Sequence, residues 1–114
     1  MMTNEELLER YPFLRPRNRW TGELMNQDEK EDEELWTELD DMPIGWRIAF
    51  GEQMCEELLE ILKEANYVEE YMIVQIKEKY AELCWYDNGV PEKVWDKYRD
   101  WLYKYEELSR RICI

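Results

Sequence analysis

Apolar residues recur at helical spacing in two long stretches of the chain. Trp46, Phe50, Met54, Leu58, Ile61 and Leu62 follow one another at steps of mostly three and four residues, the period of one helix face. Ile48, Cys55 and Leu59 broaden that stripe, and Glu52, Glu56, Glu57, Glu60 and Glu64 fill much of the remainder. The pattern predicts a helix from about Pro43 to about Ala65. Asp40 or Asp41 is expected to cap it, Pro43 to occupy an early helical position, and Asn66 to stop it. A second stripe of Val94, Tyr98, Trp101, Leu102, Tyr105, Leu108 and Ile112 predicts a helix from Pro91 almost to the end of the chain. Glu92 early, and Arg110 with Arg111 late, suit the helix dipole.

Between the two helices the period changes. Met72, Val74 and Ile76 alternate with Ile73, Gln75 and Lys77, as in a strand. Met72, Ile73, Ile76, Tyr80 and Leu83 also fit a helical stripe, so both readings stay open. The β-branched and aromatic content favours strands, with a turn near Ala81-Glu82 and a second strand from Leu83 to Tyr86. Asp87-Asn88-Gly89 signals a turn. Near the start, Thr3 and Glu6 form a capping-box pattern for a short helix that Pro12 ends. Residues 11–20 are expected to be extended, packing through Phe13, Leu14 and Trp20. Further on, Leu35, Trp36 and Leu39 are spaced for a short helix docked by one edge. The expected fold is α+β: one domain of two long helices packed on a short antiparallel hairpin, preceded by an acidic N-terminal arm with short helices. No internal repeat or linker divides the chain.

Charge changes this picture most. The chain of 114 residues carries 28 Asp and Glu against 15 Lys and Arg, for a net charge of −13. Residues 1–42 hold 13 acids and 5 bases, and residues 43–114 hold 15 and 10. The excess centres on Asp28, Glu29, Glu31, Asp32, Glu33, Glu34, Glu38, Asp40 and Asp41, with Lys30 as the only base among them. Such a field repels nucleic acid and anionic lipid and attracts a partner with a basic surface. These nine carboxylates are the candidate partner-binding residues. A solvated charged face is the plainer meaning of such a run.

The chemistry available is narrow. The chain has no histidine, so Ser–His and Cys–His nucleophile pairs and mixed zinc sites are excluded. Its four glycines form no phosphate loop. Cys55, Cys84 and Cys113 are odd in number and far apart, unlike a disulfide framework. Cys55 and Cys84 are expected to pack, and Cys113 to be exposed. No signal-like start or membrane-spanning run is present. A cytoplasmic protein without catalytic residues, cofactor or metal is expected. A carboxylate-based, metal-dependent enzyme is the minor alternative.

Gly45-Trp46, the run from Gln75 to Tyr80, Leu83 to Tyr86, Glu106 to Ser109, and Cys113 together resemble a group of small phage and prophage proteins. That group reads as a helix, a hairpin with a Gln-Ile-Lys-Glu-Lys-aromatic motif, and a second helix followed by Cys-x-x-Cys-Gly. The resemblance covers roughly Pro43 to Cys113. This chain has Ala81-Glu82 where the group has Gly-Gly, and no second cysteine after Cys113, so the group's metal knuckle is not implied. The resemblance implies a mobile-element origin. Joined to the acidity, it sets the expected function: a phage-derived inhibitor of a host nucleic-acid-targeting nuclease. Its most concrete form is an anti-CRISPR protein acting on a Cas9-type effector. The alternative is a phage accessory or structural protein acting by protein–protein contact or as a homodimer.

Overall fold

The computed structural model describes residues 2–17, 21 and 36–113. The expected α+β architecture is present: two long helical stretches against a two-stranded antiparallel sheet, with short helical turns toward the N-terminus.

Helix α1, Asn4–Arg10, starts at the predicted capping box. The Thr3 side chain accepts from the Glu6 amide, and the Glu6 carboxylate accepts from the Thr3 amide. A 3-10 turn at Pro12–Leu14 follows where extended chain was expected, and it buries Phe13 and Leu14. Trp20 and Leu35 lie outside the described residues. The short helix expected around Leu39 is a 3-10 turn, Glu38–Asp41, with Leu39 fully buried. Leu7, Phe13, Leu14 and Leu39 join the same core as the long helices. The described part of the arm is therefore built into the domain.

The first long helical stretch has three pieces. Helix α2, Ile44–Trp46, runs into a π-helical segment, Arg47–Gly51, and then into α3, Glu52–Glu64. Neither Asp40 nor Asp41 caps it, contrary to expectation. Pro43 is the N-cap, and its carbonyl accepts from the amides of Trp46 and Arg47. The stripe packs as predicted except at Ile48, which is 69% exposed. Ile48 lies two residues from both Trp46 and Phe50, so the helical repeat turns it away from their face. Asn66 ends the helix as predicted. At φ +52° it permits the Schellman pair of bonds, from the Tyr67 amide to the Leu62 carbonyl and from the Asn66 amide to the Lys63 carbonyl.

Strands β1, Ile73–Lys79, and β2, Glu82–Asp87, form the hairpin. Ile73 pairs with Asp87 and Gln75 with Tyr86, which leaves Val74 as an extra residue in a bulge. The bulge shifts the strand phase, so Ile73 and Ile76 are both buried although three residues apart. The turn falls at Tyr80-Ala81, one residue earlier than expected. Helix α4, Trp95–Ser109, follows a 3-10 turn at Glu92–Val94. Ser109 fixes α4 to the hairpin: its hydroxyl accepts from the Leu83 amide at 2.9 Å and donates to the Glu106 carbonyl at 2.7 Å.

Aromatic rings fill much of the core. Trp85 meets Trp101 edge-on at 5.3 Å, and Phe13 meets Tyr71 edge-on at 5.8 Å. The buried indoles have acceptors: Trp46 on the Ile112 carbonyl, Trp85 on the Tyr71 hydroxyl and Trp101 on the Met54 carbonyl. Indole burial therefore leaves no stranded donor at these three sites.

Candidate interaction surface

The predicted acidic tract divides at the edge of the described chain. Asp28, Glu29, Glu31, Asp32, Glu33 and Glu34 lie outside the described residues. Of the other three, only Asp41 is at an exposed position. Glu38 is buried, at 7% exposure. Asp40 is a structural hub. Its Oδ2 accepts from the Thr37 amide and the Asn4 amide group, both at 2.9 Å, and its Oδ1 accepts from Arg47 at 2.9 Å. Arg47 also donates to the Asn4 side-chain Oδ1 at 3.1 Å. This cluster ties α1, the Glu38–Asp41 turn and the π-helical segment together. It anchors one flank of the tract. Arg17 donates to the Glu69 carbonyl at 3.2 Å.

Across the helices, positive charge is matched locally. Arg10 pairs with Glu56, Lys97 with Glu64, Lys104 with Glu57, and Arg110 with Glu82 and Glu107. Arg10 holds the Glu56 carboxyl below its usual range through a hydrogen bond, with Tyr11 adding a second. At Glu57, burial opposes ionisation, yet donors from Lys104, Tyr105 and Gln53 together hold its carboxyl low. These two carboxylates stay charged at neutral pH.

One half-buried polar group could suggest chemistry. Asp87 Oδ2 accepts from the Tyr71 hydroxyl at 2.6 Å and from the Tyr98 hydroxyl, and Asp87 Oδ1 accepts from the Gly89 amide at 2.8 Å. Burial, reinforced by Asp87, pushes both tyrosines above their ordinary range. They stay neutral donors, poor as bases or nucleophiles. The arrangement closes the Asp87-Asn88-Gly89 turn and welds the hairpin to α4. Among the described residues no group of three or more His, Cys, Asp or Glu is placed to hold a metal ion. Cys55 is buried, which raises its thiol well above the ordinary range and keeps it protonated. Cys84 is half-buried on the outer hairpin face, and Cys113 is exposed. No described helix is long and apolar enough to cross a membrane.

The surface also displays large apolar and aromatic side chains. Ile44 and Ile48 project beside the π-helical segment, Trp95 and Tyr103 from α4, and Tyr80 and Tyr86 from the hairpin. Tyr80 is 91% exposed. A shallow hollow of about 480 Å³ lies against the π-helical segment, between Arg47, Ile48, Phe50 and Gln53. The sequence signal for Tyr80 was faint: an aromatic next to a two-residue turn that lacks both glycine and asparagine.

Comparison with known protein families, with curated proteins and with solved structures gives no match for this chain.

Proposed function

We propose that the protein is an inhibitor that occupies the basic nucleic-acid groove of a host defence nuclease, a Cas9-type effector being the most concrete target. The observation that carries this reading is the −13 charge on a compact fold whose helical bases are already matched by carboxylates. A surplus of carboxylate on a firm body presents the negative potential that a phosphate-binding groove attracts, and it steers association.

The test is direct binding to purified effector nucleases over a salt series. Affinity is expected to fall steeply with salt, as it does for phosphate in the same groove. The quadruple reversal Glu31→Lys, Asp32→Lys, Glu33→Lys and Glu34→Lys is expected to weaken binding more than about tenfold. Salt-insensitive binding, or unchanged inhibition by the reversal variant, sinks the groove reading. The exposed Ile44, Ile48, Trp95 and Tyr103 favour the second reading, an accessory protein that binds through apolar contact. Sedimentation showing a stable oligomer or a complex with another phage product would support it.

A further inference from the structure

Helices α3 and α4 meet along one matched row. Glu57, Ile61 and Glu64 stand on α3 at steps of four and three residues, and Lys104, Trp101 and Lys97 oppose them on α4. Glu57 pairs with Lys104 at 2.7 Å, and Glu64 pairs with Lys97 at 2.6 Å. Between these two ion pairs lies a hollow of about 450 Å³, with Ile61 and Trp101 as its apolar lining.

The middle of the row breaks the charge match. Glu60 and Asp100 also line the hollow, each one residue before its apolar neighbour, and both are exposed. Lys97 and Lys104 lie within four residues of Asp100 on the same helix, yet both turn away from it, across to α3. Lys104 is held there a second time, 4.8 Å from the centre of the Tyr105 ring. Lys63 Nζ stands 4.0 Å from Glu60, beyond hydrogen-bond distance. Three carboxylates and two ammonium groups thus line the hollow, and both ammonium groups are engaged at its ends. One negative charge is left over in the middle, beside the apolar lining.

A cation with a flat, weakly hydrated face suits this combination. An arginine guanidinium stacks on aromatic and aliphatic surface and can divide its donors between two carboxylates. A lysine ammonium holds its water more strongly and gains less from an apolar lining. Resting on the basic-partner reading above, we propose that the hollow between α3 and α4 takes one arginine side chain from the partner's surface. Its guanidinium lies between Glu60 and Asp100, and its stem runs along Ile61 and Trp101.

The experiment is an NMR titration of the full chain at fixed ionic strength with two capped glycine peptides, one carrying a single arginine and the other a single lysine. Saturable shifts are expected for the arginine peptide, centred on Glu60, Ile61, Asp100 and Trp101. The lysine peptide is expected to bind about fivefold more weakly. The Glu60→Gln, Asp100→Asn variant should bind the arginine peptide about tenfold more weakly, with Tm within about 2 °C of wild type. The Glu5→Gln, Glu9→Gln variant removes the same charge from exposed positions of α1 and should bind it as wild type does. Equal binding of the two peptides, shifts centred elsewhere, or equal weakening by both variants overturns the proposal. The first two of these outcomes are read on wild type and need no variant to fold. A nuclease that binds wild type and the Glu60→Gln, Asp100→Asn variant equally also overturns it, while leaving the nuclease reading to its salt series. Absence of any nuclease complex removes that target and not the hollow, which the peptides report by themselves.

Discussion

Asp87 and Glu56 make the same kind of cluster in two regions of the molecule. At the inner end of the hairpin, Asp87 accepts from the hydroxyls of Tyr71 and Tyr98 and from the Gly89 amide. On the outer side of α3, Glu56 accepts from Arg10 and from the Tyr11 hydroxyl at 2.7 Å. At the first site Asp87 is half-buried, but its two tyrosine partners lie in the core, Tyr71 fully buried and Tyr98 6% exposed. The second is open, with the Arg10 and Glu56 side chains 48% and 41% exposed. Water can replace a partner lost at Glu56 but has little access to the Tyr71 side chain that Asp87 serves. Location, more than the number of hydrogen bonds, therefore sets what each carboxylate contributes. The same contrast separates the carboxylates that build this fold from those free to meet a partner.

The largest effect should come from cutting the inner cluster. Asp87→Ala leaves the Tyr71 and Tyr98 hydroxyls without their acceptor and frees the turn at Gly89. A loss of about 3 kcal/mol is expected in urea unfolding, since a stranded buried donor costs ~1–3 kcal/mol. Asp87→Asn keeps an acceptor and should cost about half as much. If Asp87→Ala costs no more than an exposed ion pair, the contrast between the two regions collapses.

Alkaline titration sharpens the comparison. Burial and Glu56 push Tyr11 up to about 12 from the ordinary 10.0. Tyr71, Tyr98 and Tyr105 are raised as well, in each case chiefly by burial. The folded state therefore holds these protons after the unfolded chain has begun to release them. The stability they contribute is fully present below pH 10, and it is lost as pH rises through the folded-state values. Melting temperature should be insensitive to these groups below pH 10 and fall above it. Phenolate absorbance should show Tyr11 titrating near 12 in a chain that is still folded, whereas Tyr71 and Tyr98 ionise only as the fold opens. Ionisation of all four together, with no loss of structure, would contradict the closed inner cluster.

The framework was legible in the sequence where burial follows a simple period. The stripes through Trp46 to Leu62 and Val94 to Ile112 locate both long helices, and Asn66 marks the end of the first. The hairpin was half-legible for a definite reason. The bulge at Val74 puts Ile73 and Ile76 on one face, a three-residue step that mimics a helix. The turn was displaced because the positive φ angles fall on Tyr80-Ala81, and neither residue type advertises that conformation. Polarity misleads at single positions: Glu38 is buried and Ile48 exposed, against the habit of both residue types. Of the candidate site, composition conveyed the acid surplus but not its division of labour. That Asp40 holds Arg47, Thr37 and Asn4 together depends on contacts between segments distant in the chain, which no local pattern contains.

The smallest effect belongs to the open cluster. Arg10→Ala removes both guanidinium contacts to Glu56 but leaves its carboxylate in water and still bonded to Tyr11. Exposed pairs of this kind contribute little, and the remaining Tyr11 bond should keep the loss in urea unfolding close to zero. The difference between wild type and variant should shrink further as salt approaches ~1 M, where screening acts within a few ångströms. Measured beside Asp87→Ala at low and high salt, the two variants give a direct reading of the comparison: one effect large and nearly independent of salt, the other small and abolished by it. A large, salt-resistant loss at Arg10 would mean that the N-terminal helix is held by this contact rather than by Leu7 in the core. The acidic surface of α3 would then belong to the scaffold and not to the partner.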